Sequence, residues 1–306
     1  MDALVDASVT LCGMTLRNPV IAASGTFGYG VEFLSLLDLE ALGGLVVKGL
    51  SREPMAGNPE PRLVETASGM LNSVGLQNIG ARAFVRDKLP ELAGLRAAVF
   101  ANVFGYAVED YVEVIRILEE APGLAGYELN VSCPNTSQGG MHFAADPRLL
   151  AEVVAAARQA ARRRPLIVKL SPNVADIAVM ARAAEEAGAG ALSLVNTFVG
   201  LAIDARSRRP RLGAGFGGLS GPAIKPLALR MVCQAAGAVR IPVIGLGGIS
   251  TGEDVAEYLL AGATAVQVGT ATFLDPRAPL RIAREFDRFL RSQRTSARDL
   301  IGRLQL

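Results

Sequence analysis

Two lysines occupy positions where an unpaired ammonium group would be costly. Lys48 directly follows the apolar run 44–47, and Lys169 lies inside the run 166–170. The chain has four lysines against 27 arginines, so the placement of two lysines at such runs is selective. Burial of an ammonium group without a partner is unfavourable. The pattern therefore predicts an anionic ligand near both side chains.

Amides, hydroxyls and one thiol follow other apolar runs in the same way. The amides and hydroxyls belong to Ser24, Asn102, Asn130, Asn196 and Thr197. A single asparagine at such a place is commonly a turn residue, so it is the recurrence of the pattern that indicates a site. Cys133 lies in the polar segment 130–135 before a proline, whereas Cys12 and Cys233 are predicted to be small core residues.

Two glycine turns predict a phosphate site. Gly247-Gly248 and Gly269-Thr270 each end an apolar run and precede a helical pattern. Glycines let backbone N–H groups approach a ligand closely, and a helix N-terminus stabilises a dianion. In many α/β barrels the loops after strands seven and eight bind phosphate. The sequence therefore predicts a phosphate-bearing cofactor.

Eight short apolar runs predict the strands that position these residues. Their apolar residues are continuous, as in parallel strands that are buried on both faces. The runs are 20–23, 44–47, 97–103, 126–131, 166–170, 191–195, 243–246 and 265–268. Helical patterns separate most of them, which indicates either a closed (β/α)8 barrel or an open doubly wound sheet. The count of eight and the 306-residue length favour one α/β domain, a (β/α)8 TIM barrel over residues 1–306.

Local signals predict where the other elements begin and end. Helices are predicted over 108–120, 147–162, 174–187, 222–236 and 253–261, with Asp146 as an N-cap and Gly188, Gly237 and Gly262 as C-caps. Residues 8–16 predict an N-terminal β-hairpin that turns at Cys12-Gly13. Three longer segments without a regular pattern, 50–76, 132–145 and 197–221, are predicted to be active-site loops at the carboxyl-terminal face of the barrel.

The composition argues against several classes of protein. Lys+Arg is 31 and Asp+Glu is 29, and this balance argues against binding to nucleic acid or to an acidic membrane surface. No run reaches the ~20 apolar residues that a membrane-spanning helix needs. The chain start lacks the basic residues of a secretory signal. Three scattered cysteines predict neither a disulfide scaffold nor a metal site, and we expect a cytoplasmic protein.

Several motifs together resemble one enzyme family. The segment 130–135 (NVSCPN), Lys48-Gly49-Leu50, the segment 72–78 (NSVGLQN) and Asn196-Thr197 are similar to those of the dihydroorotate dehydrogenases. The segment 217–226 (GGLSGPAIKP), which follows Arg208-Arg209-Pro210, resembles class 1B, the catalytic subunit of the NAD-linked form. The resemblance extends from the first hairpin to the eighth strand.

The resemblance implies a flavoprotein that oxidises (S)-dihydroorotate to orotate in de novo pyrimidine synthesis. It implies that Cys133 is the base that removes the C5 proton while the C6 hydride passes to FMN, and that Lys48 contacts both flavin and substrate. The segment 132–145 would be a mobile lid with Gly139-Gly140 as hinges, and Lys169 would lie near the N1–O2 edge of the flavin. The implied substrate-binding residues are Lys48, Asn72, Ser73, Val74, Gly75, Leu76, Asn130, Asn135, Asn196 and Thr197. The implied FMN-binding residues are Ser24, Lys48, Gly49, Asn102, Asn130, Lys169, Val195, Gly221, Gly247, Gly248, Gly269 and Thr270.

Class 1B further implies a partner for the transfer of electrons to NAD. In that class the catalytic chain works with an electron-transfer subunit that carries FAD and a [2Fe–2S] cluster, as a heterotetramer around a homodimer. Three other interpretations stay open. They are the fumarate-linked class 1A, a Schiff-base aldolase barrel that uses Lys48 or Lys169 as nucleophile, and a barrel that only binds a phosphate ligand.

Overall fold

Eight parallel strands close into a barrel in the computed structural model, which describes residues 5–132 and 143–305. In chain order the strands are β1 (Val9–Leu11), β2 (Met14–Leu16), β3 (Val20–Ala22), β4 (Gly44–Leu50), β5 (Leu63–Thr66), β6 (Gly69–Asn72), β7 (Ala98–Val103), β8 (Gly126–Asn130), β9 (Leu166–Lys169), β10 (Ala191–Leu194), β11 (Phe198–Leu201), β12 (Ile203–Asp204), β13 (Arg209–Pro210), β14 (Phe216–Ser220), β15 (Val243–Leu246) and β16 (Ala265–Val268). The barrel order is β3, β4, β7, β8, β9, β10, β15 and β16, and β16 pairs back to β3. The predicted (β/α)8 barrel is confirmed, and each predicted apolar run forms one of its strands.

Helices flank the barrel, and each of the five predicted helices begins within three residues of its predicted start. They are α1 (Ala81–Asp87), α2 (Leu89–Leu92), α3 (Val108–Glu119), α4 (Pro147–Ala160), α5 (Ile177–Glu186), α6 (Lys225–Ala238), α7 (Gly252–Leu260), α8 (Ala271–Leu274), α9 (Ala278–Gln293) and α10 (Ala297–Leu300). The Asp146 carboxylate accepts a hydrogen bond from the Arg148 N–H at 2.8 Å, which confirms that N-cap. Within the described part of the chain, no helix combines the length and the apolar character needed to cross a membrane.

The predicted glycine C-caps have different outcomes. Gly188 and Gly262 follow α5 and α7 with φ angles of 100° and 105°, the left-handed conformation expected at such ends. The prediction for Gly237 was wrong because α6 continues past it to Ala238. The Val239 N–H still donates to the Ala235 carbonyl at 3.2 Å, so Gly237 is an interior helical residue.

Two of the three predicted loops contain regular structure, so the expectation of irregular loops was wrong there. The segment 50–76 contains β5 and β6, and the segment 197–221 contains β11 to β14. Strands β11, β14, β6 and β5 form a four-stranded antiparallel sheet. Each segment follows the carboxyl end of a barrel strand, β4 or β10, so the sheet belongs to the predicted active face. The strands pair with partners distant in sequence, and that pairing gives them a structure that local patterns do not indicate.

The N-terminal hairpin of β1 and β2 is confirmed and lies at the opposite end of the barrel. Its turn residues Cys12 and Gly13 have φ angles of 48° and 79°. The Cys12 thiol donates to the carbonyl of Gly190, which precedes β10, at 3.3 Å. The hairpin therefore contacts the amino-terminal end and leaves the carboxyl-terminal face to the segments described above.

Candidate active site

A register shift in the barrel positions Lys48. The pairing of β4 with β7 shifts between Val47 and Leu50, and such an irregularity re-aims the side chains at that point. The Lys48 N–H donates to the Gly28 carbonyl at 2.7 Å. Its ammonium group is partly buried and has no hydrogen bond or ion pair with any residue that the structure describes.

The electrostatic surroundings of Lys48 suit an anionic ligand. Burial lowers the pKa of its ammonium group, with Glu32 opposing and Arg62 adding to that effect. The folded chain thus holds a partly desolvated cation whose charge an added anion would stabilise.

The carboxylate of Glu128 is fully buried among the barrel strands and lies beside Lys169. Glu128 of β8 is 0% exposed, and Lys169 is 5% exposed. Its ammonium nitrogen lies 3.5 Å from Glu128 Oε1 and donates to Ser24 Oγ at 3.3 Å. The Asn102 amide donates to the same carboxylate oxygen at 2.7 Å. Three residues implied to bind the flavin, namely Ser24, Asn102 and Lys169, are thereby brought together.

Opposing effects act on the ionisation of Glu128. Burial alone would raise the pKa of its carboxyl group. The Lys169 ammonium and hydrogen bonds from Gln267, Asn102 and Ser193 outweigh burial and lower that pKa. Glu128 is therefore an anion at neutral pH, enclosed by the barrel.

Two further asparagines meet at the carboxyl ends of β8 and β10. The Asn196 amide donates to Asn130 Oδ1 at 3.2 Å. The Tyr111 hydroxyl donates to the Asn130 carbonyl at 3.1 Å and holds the strand end from outside. These bonds fix the facing amides of two residues implied to bind the substrate.

The antiparallel sheet brings Asn72 and Thr197 to one place. The Asn72 amide donates to the Gly218 carbonyl at 3.2 Å. A Cβ atom at Gly218 would lie 2.0 Å from Thr197 Oγ1, so the two residues are in close contact. Gly218 of β14 therefore contacts both Asn72 and Thr197, which are 125 positions apart in the sequence.

The segment 73–76 follows β6 of this sheet without regular secondary structure. The Ser73 hydroxyl accepts from the Asn58 amide at 2.8 Å, and the Asn78 amide donates to the Leu76 carbonyl at 2.9 Å. Gly75 and Leu76 have φ angles of 74° and 57°. The Val74 carbonyl accepts a hydrogen bond from the Asn58 N–H at 3.1 Å. No hydrogen bond joins this segment to Lys48 among the residues described.

The glycine turns assigned to the phosphate lie close together in the fold. Gly221 and Gly248 have φ angles of 92° and 70°, which side-chain-bearing residues rarely adopt. A Cβ at Gly248 would lie 3.0 Å from the Gly221 carbonyl oxygen. The Thr270 hydroxyl donates to Ser220 Oγ at 2.8 Å, next to Gly221. Three separate segments, around Gly221, Gly248 and Thr270, thus lie next to one another.

The other implied flavin residues lie at neighbouring strand ends. A Cβ at Gly49 would lie 2.9 Å from Asn102 Oδ1, so these two residues touch. Val195 is buried, and its N–H donates to the Leu246 carbonyl at 3.2 Å. Gly247 has a φ of 126°. A Cβ at Gly269 would make only ordinary contacts, the nearest at 3.6 Å, so space alone does not require a glycine there.

Comparison with known proteins identifies the family to which this chain belongs. The family model described as dihydroorotate dehydrogenase matches residues 6–290. The chain belongs to the dihydroorotate dehydrogenase family. The family named from the sequence motifs is therefore confirmed, and the chain is an oxidoreductase of that family.

Individual relatives carry two different names. A protein of Solibacter usitatus, provisionally named dihydroorotate dehydrogenase A (fumarate), is 71% identical over 97% of this chain and 98% of its own length. A protein of Citrifermentans bemidjiense named dihydroorotate dehydrogenase B (NAD(+)), catalytic subunit, is 55% identical over 98% of this chain and 99% of its own. A relative from Geobacter sulfurreducens has the same name, identity and coverage.

The dihydroorotate dehydrogenase site fits the flavin that the family implies. The glycine turns bring backbone segments so close together that added side chains would collide with neighbouring chain atoms, and backbone N–H groups at such turns can bind a phosphate. The partly buried Lys48 cation has no anionic partner within 4.0 Å among the described residues, so it can contact a bound anion. Ser24, Asn102 and Lys169 form a further polar group around Glu128.

Three predicted features lie outside the described residues. They are Cys133, Asn135 and the Gly139-Gly140 pair, all within 133–142. The assignment of the base and of the lid therefore stays a prediction.

Sequence reasoning missed the residues that surround the buried carboxylate. Glu128, Ser193 and Gln267 lie in the middle of β8, β10 and β16, in runs interpreted as continuously apolar. A polar residue at the centre of an otherwise buried strand was the available signal. Such a residue needs a partner, and three of them on different barrel strands can supply each other.

Proposed function

We propose that this chain, as one domain over residues 1–306, oxidises (S)-dihydroorotate to orotate with bound FMN. The observation that carries the proposal is the convergence of the Lys48 cation, the facing amides of Asn130 and Asn196, and the glycine turns at one end of the barrel. When bound, FMN supplies the acceptor for the hydride that leaves C6 of the substrate. The residues of this chain bind both molecules and remove the C5 proton.

Substrate binding is assigned to the amides and to Lys48. Dihydroorotate carries a carboxylate and ring amide groups, which amide side chains can bind by matching donors and acceptors. Lys48 contributes a positive charge that partial burial makes more effective. The residues proposed for this role are Lys48, Asn72, Ser73, Val74, Gly75, Leu76, Asn130, Asn135, Asn196 and Thr197.

The flavin is proposed to lie across the strand tips. Lys169 would stabilise negative charge at the N1–O2 edge, because an ammonium group there compensates the charge that reduction adds. Ser24, Lys48, Gly49, Asn102, Asn130 and Val195 would contact the ring system. The phosphate would be held by Gly221, Gly247, Gly248, Gly269 and Thr270.

Cys133 is proposed as the base that takes the proton from C5. A free thiol has a pKa of about 8.5, and the thiolate is the form that accepts a proton. We expect Cys133→Ser to retain FMN and to lower the rate of flavin reduction at neutral pH by about 10²–10⁴-fold, because a hydroxyl ionises far less readily. Single-turnover absorbance measurements give that rate. A wild-type rate in the variant would contradict the assignment.

NAD is proposed as the final acceptor, reached through a second subunit. The B-type relatives and the class 1B character of 217–226 support this choice. The partner would carry FAD and a [2Fe–2S] cluster, in a heterotetramer around a homodimer of this chain. We also propose a cytoplasmic location, since scattered cysteines suit a reducing compartment.

Fumarate is the second candidate acceptor. The relative that is 71% identical carries the fumarate-linked name, and its identity exceeds that of the B-type relatives. Turnover of the purified chain alone separates the two. Rapid dihydroorotate–fumarate oxidoreduction without a second subunit would establish the fumarate form. Slow reaction with fumarate, together with NAD reduction once the partner is added, would establish the NAD form.

A further inference from the structure

Glu128 is a buried anion to which the proposed reaction assigns no role. It is 0% exposed, and its hydrogen-bond and ion-pair partners come from strands β7, β9, β10 and β16 and from the end of β3. Removal of a charge from water is costly, so Glu128 depends on these partners for compensation.

The two carboxylate oxygens of Glu128 contact different sets of residues. Oε1 accepts from Asn102 at 2.7 Å and Ser24 at 3.3 Å, and lies 3.5 Å from Lys169 Nζ. Oε2 accepts from Ser193 at 2.9 Å and Gln267 at 2.5 Å. All three partners of Oε1 are residues proposed to bind the flavin, whereas those of Oε2 are not.

Each contact with Oε1 limits what the partner can offer to a ligand. Asn102 donates through its amide nitrogen, which leaves its oxygen as an acceptor on the side of Gly49. Ser24 donates to Glu128, so its oxygen can accept from Lys169. Lys169 can use two of its three protons on these partners and keeps one for the flavin.

We propose that Glu128 is a positioning residue that sets the reduction potential of the bound flavin through Lys169. This inference rests on the proposed binding of FMN. The Glu128 anion partly cancels the field of the Lys169 cation at the flavin. Removal of that negative charge leaves the cation uncompensated and favours electron uptake, so the reduction potential rises.

Potentiometric titration of the purified FMN-loaded protein tests the proposal. Glu128→Gln keeps the size of the side chain and removes its charge. Gln267 Oε1 has no hydrogen-bond partner among the described residues, so its amide can reverse and accept from the new side chain. We expect the oxidised–reduced equilibrium to shift at least tenfold toward the reduced form, about 30 mV for a two-electron couple. An unchanged or lower potential would overturn the proposal.

Ser193→Ala is the matched control. It removes a neutral donor from Oε2 and leaves both charges in place. We expect its potential to stay within about twofold of the wild-type equilibrium constant, which is well below the tenfold expected for the charge. Equal shifts in both variants would mean general loosening of the barrel and would also overturn the proposal.

A second pair of variants covers the case in which Glu128→Gln does not fold. Lys169→Met alone and Lys169→Met with Glu128→Gln differ by the same charge, and the double variant contains no uncompensated buried cation. We expect the higher potential in the double variant, and equal potentials would contradict the inference. A wild-type chain that binds no FMN, or whose flavin dihydroorotate does not reduce, would instead refute the proposed function itself.

Discussion

Lys48 carries a positive charge that the folded chain solvates poorly. Its ammonium group is partly buried, and burial lowers its pKa, so the protonated form is less favourable in the folded chain than in water. Because the folded pKa is lowered, this penalty is present at all pH values below it and fades as the pH rises toward the unfolded value. The ligand-free protein therefore carries a partly desolvated positive charge at neutral pH.

Lys48→Met is expected to separate these two effects. The FMN-free variant should unfold at a temperature about 1–3 °C higher than the wild type, since the desolvated cation is gone. Turnover should fall by about a hundredfold or more because a charge contact with the substrate is lost. Differential scanning calorimetry and steady-state assays measure the two quantities. A variant that unfolds earlier and turns over normally would contradict this account of Lys48.

Glu128 predicts a pH dependence of stability with a definite sign. The pKa of Glu128 in the folded chain is lowered from the ordinary value of 4.5. Its ionised form therefore contributes its full stabilisation at pH values above 4.5. This contribution is lost as the pH falls through the folded pKa.

We expect the stability difference between the wild type and Glu128→Gln to shrink as the pH falls below 4.5, where the wild-type carboxylate takes up its proton. Urea unfolding of the two proteins over a pH series measures it. A difference that is constant across the acid range would show that the charge of Glu128 does not contribute to stability.

At the scale of elements, barrel strands were predictable and the additional sheet was not. Continuous apolar runs such as 20–23 and 243–246 identify buried parallel strands from local sequence alone. The pairing of Gly218 with Asn72 depends on a contact between distant segments, so no local pattern contains it. The hydrogen-bond donors around Glu128 could not be predicted for the same reason, because they lie on separate strands.

Glycine turns are the elements whose conformation can be tested most directly. Gly221 has a φ of 92°, and a Cβ there would lie 2.8 Å from Gly69 Cα. We expect Gly221→Ala to lower the free energy of unfolding by about 1–3 kcal/mol and to weaken FMN binding at least tenfold. Denaturant unfolding and flavin titration provide the two measurements.

Gly237→Ala is the corresponding control. Gly237 lies inside α6, and a Cβ there would meet no atom within 4 Å beyond its own stretch of helix backbone. Alanine should raise the free energy of unfolding by about 0.5–1 kcal/mol and leave FMN binding unchanged. Equal behaviour of the two variants would show that the turn at Gly221 is not constrained in the way described.

At the scale of the whole molecule, the barrel gathers at one end residues that lie more than two hundred positions apart. Ser24 and Gln267 reach the same carboxylate, and Asn72 and Thr197 meet at Gly218. The sequence predicted that polar residues at the strand ends would share one face, because the carboxyl ends of parallel barrel strands do so, but it did not identify Glu128 or Gln267. The barrel does not distinguish NAD from fumarate as the electron acceptor. The segment 217–226 and the names of the relatives bear on that choice.

An anaerobic titration of the purified chain with dihydroorotate tests the central claim most directly. The account predicts a yellow protein that contains one FMN per chain and whose visible absorbance is bleached by one equivalent of dihydroorotate, with orotate as the product. A colourless protein, or a bound flavin that stays oxidised when dihydroorotate is in excess, would contradict it.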